Sequence, residues 1–190
     1  NKLSDGIQGL PTRLDEVAST AQNIAIMTGD LEGAVDTTLA LNNAFLASGA
    51  STADAERGLR QYVNMLAKGK VDAARWETLQ ETMGVALNKV AEAFGFAGES
   101  AQNDLFDALK SGEITFDEFN NKIIELSEQT GGFADIAQEA SKGLKTSLGN
   151  LNTWILTGVA DVIGAIDEAL GGTGEIADAI DRLKPVVQSV

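Results

Sequence analysis

Apolar side chains along this chain recur in steps of three and four residues, the spacing of one helix face, and nearly every such run is closed by a glycine. The runs predict a first helix entered at Pro11 and carried to Met27, with Gly29 ending it, and a second from Asp30 through Ala47, closed by Gly49. A third starts at Ser51, with Asp54 three residues on as its reciprocal capping partner, and ends at Gly69. Shorter helices follow over Ala73 to Met83, Val85 to Phe94, Ser100 to Lys110 and Phe116 to Glu128, the last opened by the capping pair Thr115 and Glu118. Alternating β-branched runs do not occur, so the fold class is all-α.

Beyond Gly131-Gly132 the pattern changes to a single stripe with steps of four, three and four. Phe133, Leu144, Ile155 and Ile166 lie eleven residues apart, as do Ala137, Leu148, Val159 and Leu170, and Ala140, Leu151 and Val162. An eleven-residue period keeps a nearly straight apolar seam on a relaxed helix. One unbroken helix from Phe133 to Leu170 would span about 57 Å. The interior glycines 143, 149, 158 and 164 oppose that, with a break expected near Gly149-Asn150. The seam serves either to fold back on its own domain or to face a partner or a second copy. A last short helix reaches about Leu183, ended by Pro185. Two domains are expected: residues 1–132, a helical globular domain, and residues 133–190, a long amphipathic helix with a short terminal one.

Two segments repeat one turn. LAKGKVDAARW, from Leu66 to Trp76, and LKSGEITFDEF, from Leu109 to Phe119, align Gly69 with Gly112, Val71 with Ile114 and Trp76 with Phe119. In each a helix ends on glycine, a β-branched residue follows, and the next helix carries an aromatic on its first buried turn. The expectation is that Val71 lies beside Ile114 in a two-residue extended pairing, while Trp76 and Phe119 plug a shared core. The second copy also resembles the end of a calcium-binding loop, with Asp107, Ser111, Gly112, Ile114, Thr115 and Glu118 at loop positions one, five, six, eight, nine and twelve. Leu109 stands at position three, where an oxygen ligand is needed, and the first copy places Asn64, Leu66, Lys68 and Arg75 at positions one, three, five and twelve. The shared geometry therefore reads as a helix-loop-helix without the metal.

Composition narrows the chemistry. The 190 residues include no cysteine and no histidine, which removes disulfides, thiolate nucleophiles, the commonest zinc ligands and the commonest general base. With one tyrosine and no Gly-rich phosphate cradle or nucleophile elbow, the expectation is a non-enzymatic chain with no cofactor. Met65, Trp76, Leu79 and Met83 read as core. The net charge of −14, with basic residues scattered, argues against direct binding of nucleic acid. The most apolar stretch, Leu151 to Leu170, carries Asp161, Asp167 and Glu168, so no membrane span is expected. The chain opens on Asn1 without an initiator methionine and reads as a segment of a larger protein.

The stretch from about Gly29 to Glu128 resembles the N-terminal region of tape measure proteins of long-tailed phages and prophages. The resemblance rests on TGDLEGAVDTTLALNNAFLASGAS (Thr28 to Ser51), Leu66 to Val71 with its G-K-V turn, Trp76 with Leu79 and Glu81, VAEAFG (Val90 to Gly95), and Leu105 with LKSGEIT (Leu109 to Thr115). It departs from the family after Met83, where a proline often stands and Gly84 follows here. The resemblance implies an extended helical protein that sets tail length, with tail tube and tail assembly proteins as partners and self-association as a further option. Assembly in the host cytoplasm and then residence in the virion tail are implied with it. No catalytic residue carries over. Two readings from other classes stand beside it: a degenerate calcium-loop regulatory domain, and a muramidase-type module whose acid would be Glu81, Glu92 or Glu118.

Overall fold

A computed structural model describes residues 2–142, and among these every regular element is helical. The elements are α1 (Lys2–Gly6), α2 (Leu14–Thr28), α3 (Leu31–Ala47), α4 (Thr52–Lys68), α5 (Ala73–Ala93), α6 (Ala101–Ser111) and α7 (Phe116–Glu128), followed by helical residues 133–142, here α8. The described residues fall within one compact unit, Asn1–Leu144. Expected positions beyond residue 142 lie outside the described residues.

Local chemistry explains most of the boundaries. The Asp30 carboxylate accepts from the Gly33 N–H at 3.0 Å to open α3, and the Ser51 hydroxyl accepts from the Asp54 N–H at 3.1 Å to open α4. The reciprocal half of the Ser51 box differs from expectation. The Asp54 carboxylate takes the Ser51 hydroxyl itself, at 2.8 Å, because aspartate is one methylene too short to reach back to the backbone. At α7 the longer Glu118 does reach, accepting from the Thr115 N–H at 2.8 Å while the Thr115 hydroxyl caps the Glu118 N–H at 3.1 Å.

Two boundaries depart from the pattern. Pro11 does not open α2; the helix begins at Leu14, and the Pro11 carbonyl instead accepts from the Thr52 hydroxyl at 2.8 Å, with Thr12 donating to Asn42 at 3.1 Å. These ties hold the entry loop against α3 and α4 and override the local preference for a proline-led turn. The two helices expected on either side of Gly84 are one helix kinked at Met83, whose φ of −137° and ψ of 34° are non-helical. The bend leaves backbone groups for side chains from other elements to satisfy. Gln102 donates to the Gly84 carbonyl at 3.0 Å, and the Ala86 N–H donates to the Ser48 hydroxyl at 3.1 Å.

The core gathers around α3, which packs against α1, α2, α4, α5 and α7. All seven residues from Ala40 to Leu46 are buried, so the second half of this helix is enclosed on every side. Glycine permits one close approach: a Cβ on Gly58 of α4 would stand 2.3 Å from the ring of Phe45, which is itself fully buried. Leu41, Phe45, Tyr62, Met65, Trp76, Leu79, Met83, Leu87, Leu105, Phe119 and Phe133 belong to one continuous apolar cluster.

Candidate functional site

The repeated turns are two instances of one device. Gly69 and Gly112 both take the left-handed conformation that ends a helix, with φ of 64° and 81°. Asp72 then caps α5 through the Arg75 N–H at 3.1 Å, and Thr115 caps α7 through the Glu118 N–H. Val71 and Ile114 therefore precede the capping residue, and Trp76 and Phe119 stand on the fourth helical position after it. That is the spacing of a hydrophobic staple, and all four side chains are buried in the same cluster.

The extended pairing expected between Val71 and Ile114 does not form. The Ile114 N–H donates to the Ala108 carbonyl at 3.1 Å, closing the end of α6, and no β-bridge occurs among the described residues. A residue spent on closing one helix and stapling the next has no backbone donor left for a ladder. The aromatics find separate partners inside the shared core. Trp76 lies 5.8 Å from Phe106, and Phe119 stacks on Tyr62 at 5.9 Å. The Tyr62 hydroxyl donates to Asn120; its burial, reinforced by the Asp117 carboxylate, raises its pKa far above the usual tyrosine value and keeps it neutral.

The residues of the two alternative chemistries lie as follows. Asp107 and Ser111 are within α6, so the calcium-loop numbering falls on helix where a ligand loop would have to be, and Glu118 is turned back onto Thr115. In the first copy Asn64, Leu66 and Lys68 are within α4, and Arg75 pairs with Asp72. Glu81 and Glu92 are solvent-exposed on α5, eleven residues apart, and Glu118 is exposed on α7; Glu81 lies beside Arg57. Of the expected seam, Phe133 and Ala137 are buried within this unit, Ala140 is exposed, and Leu144, Leu148, Leu151, Ile155, Val159, Val162, Ile166 and Leu170 lie outside the described residues.

One surface was not anticipated. At the corner between α2 and α3, Ile26 is 74%, Leu31 68% and Met27 37% exposed, a concentration of apolar side chains facing water. Beside them a groove of about 290 Å³ runs between α2, α3 and α7, lined by Ile24, Thr28, Asp30, Thr37, Asp117 and Asn120 among others. The signal was present in the sequence: no lysine or arginine occurs from residue 14 to residue 56, while seven acidic residues do.

These features define a helical structural module, assembled from staples, caps and a shared core, with an open apolar corner and acidic flanks. The chain belongs to the tape measure protein family, whose family model matches residues 1–168. Its class is that of structural phage tail proteins. No curated protein and no solved structure matches the chain. No helix among the described residues is long and apolar enough to cross a membrane.

Proposed function

We propose that the unit containing α1–α8 is an assembly module of a tail tape measure protein, acting in tail length determination through contacts with tail tube and tail assembly proteins in the host cytoplasm. The observation that carries this is the packing of α3 against five other helices. A rod measures length because each helical residue adds about 1.5 Å along the axis. Helices folded side by side add binding surface instead, so this unit serves recognition while other parts of such a protein supply the ruler. The reading is non-enzymatic: of the acidic side chains weighed for catalysis, Glu118 closes the cap of α7, and Glu81 and Glu92 face solvent.

Deleting residues 14–128 in frame from the phage gene, then viewing particles by electron microscopy, separates the two roles. An assembly module predicts loss of finished tails. Normal numbers of tails shortened by about 170 Å, the length of the deleted residues as one helix, would show that the segment acts as ruler and overturn the reading.

A further inference from the structure

The corner between α2 and α3 combines features that a merely solvated surface does not need. Ile26 and Leu31 are the two most exposed large apolar residues among those described, and with Met27 they flank a single turn. The same turn carries Asp30 and Glu32, and Asp117 stands on the facing wall of the adjoining groove. The nearby cations form their ion pairs elsewhere: Lys2 pairs with Asp36, while its charge also reaches Glu32; Arg13 pairs with Asp15, and Arg60 with Glu16. No ion pair among the described residues engages Asp30, Glu32 or Asp117. Apolar surface beside Asp30 and Asp117, with Glu32 only partly offset by Lys2, is complementary to a segment carrying aliphatic side chains on one face and lysine or arginine beside them.

We propose that this corner docks a basic amphipathic helix of a partner protein, its apolar face on Ile26, Met27 and Leu31 and its cations toward Asp30, Glu32 and Asp117. A second copy of this chain is disfavoured as occupant, because its own corner brings the same charge and its net charge is −14. The apolar contact supplies the hold; the carboxylates supply speed of encounter and selection against acidic helices. The inference rests on the assembly reading and gives the partner of that reading its chemistry.

The test uses the whole chain and a fluorescent synthetic peptide of about eighteen residues, roughly five helical turns, built from leucine and lysine, with a leucine and glutamate peptide of the same pattern as control. Fluorescence anisotropy is expected to show binding of the lysine peptide alone, weakening as salt is raised. The double variant Ile26→Ser, Leu31→Ser is expected to weaken it at least about tenfold, and Asp30→Asn with Glu32→Gln to reduce its salt dependence. The remote pair Asp107→Asn, Glu113→Gln, equal in charge change, is expected to leave binding unchanged. Equal binding of both peptides, equal loss in the remote variant, or a dimer by light scattering that Leu31→Ser abolishes would each overturn the proposal. If the corner variants bind normally while the deletion still prevents tails, the docking site falls and the assembly role stands.

Discussion

The helices α4 to α7 and the hairpin of α2 and α3 are made of similar residues and treat them oppositely. Across α4 to α7 the large apolar side chains are turned inward around the two stapled turns, and Val85 alone among the described large ones is strongly exposed there. The hairpin leaves Leu14, Ile26, Met27 and Leu31 exposed although its second half is the most enclosed stretch of the fold. The difference is one of capping and charge. The stapled turns fix where each helix starts and which side chain fills the hole beside it. At Thr28–Asp30 the polar caps are in place but no apolar residue closes over the turn.

That contrast predicts where mutation is expensive. Phe119→Ala and Trp76→Ala each remove a buried aromatic from the shared core and are expected to cost about 3–5 kcal/mol, measured by urea denaturation of the whole chain. A loss below about 1 kcal/mol at either position would mean that the stapled turns do not organise the core, and the comparison would collapse.

Two glycines sharpen it, because an added Cβ meets an obstacle at the same distance in both regions. On Gly58 it would stand 2.3 Å from the Phe45 ring, and on Gly33 it would stand 2.3 Å from the Asp30 carboxylate. Phe45 is sealed in the core and cannot swing aside, so Gly58→Ala is expected to lose about 1–3 kcal/mol despite the better helix propensity of alanine. Asp30 is exposed and can rotate away, surrendering a cap worth about 1 kcal/mol against a similar gain in propensity. Gly33→Ala should therefore change the urea midpoint little. Equal destabilisation by the two would show that the corner is as rigid as the core.

What could be read from the sequence follows the same division. Helix limits set by a neighbouring cap or glycine were legible, as at Asp30, Ser51, Gly69 and the Thr115–Glu118 box, because the deciding groups lie within a few residues. Limits set by distant partners were not. The entry to α2 depends on Thr52 and Asn42 holding Pro11 and Thr12, and the Met83 bend is one helix rather than two because Gln102 and Ser48 satisfy the groups it frees. The paired turns were found by alignment, yet their role as staples needed the observed caps, since the same spacing also fits an extended pairing. The apolar corner was missed because periodicity marks the buried stripe and says nothing of the apolar residues left off it.

The two stapled turns can be told apart by acid. Asp72→Ala and Thr115→Ala are each expected to cost about 1 kcal/mol at neutral pH. Burial acts to raise the Asp72 pKa, but the Arg75 N–H and guanidinium and Lys68 outweigh it and hold the carboxyl below its ordinary value. A depressed pKa adds stability that is complete above the unfolded value and is lost as pH falls through the folded one. The cost of Asp72→Ala should therefore shrink on acidification below the usual carboxylate range. The Thr115 hydroxyl does not titrate there, so the direct part of its cap survives. Urea midpoints of both variants at neutral and acid pH measure this, and a cost for Asp72→Ala that is the same at both would refute it.

The smallest expected effect bears most on the corner. Ile26→Ser and Leu31→Ser each replace an apolar side chain that is already mostly in water, so little transfer free energy is at stake and the change in stability should stay within about 0.5 kcal/mol. Binding of a hydrophobic dye such as anilinonaphthalene sulfonate should fall in the double variant, because the two most exposed large apolar side chains among the described residues have been removed. An unchanged midpoint with weaker dye binding marks side chains that the fold does not use and that remain available to a partner. A loss of more than about 1 kcal/mol would instead make them part of the scaffold, and the distinction between hairpin and core would have to be drawn elsewhere.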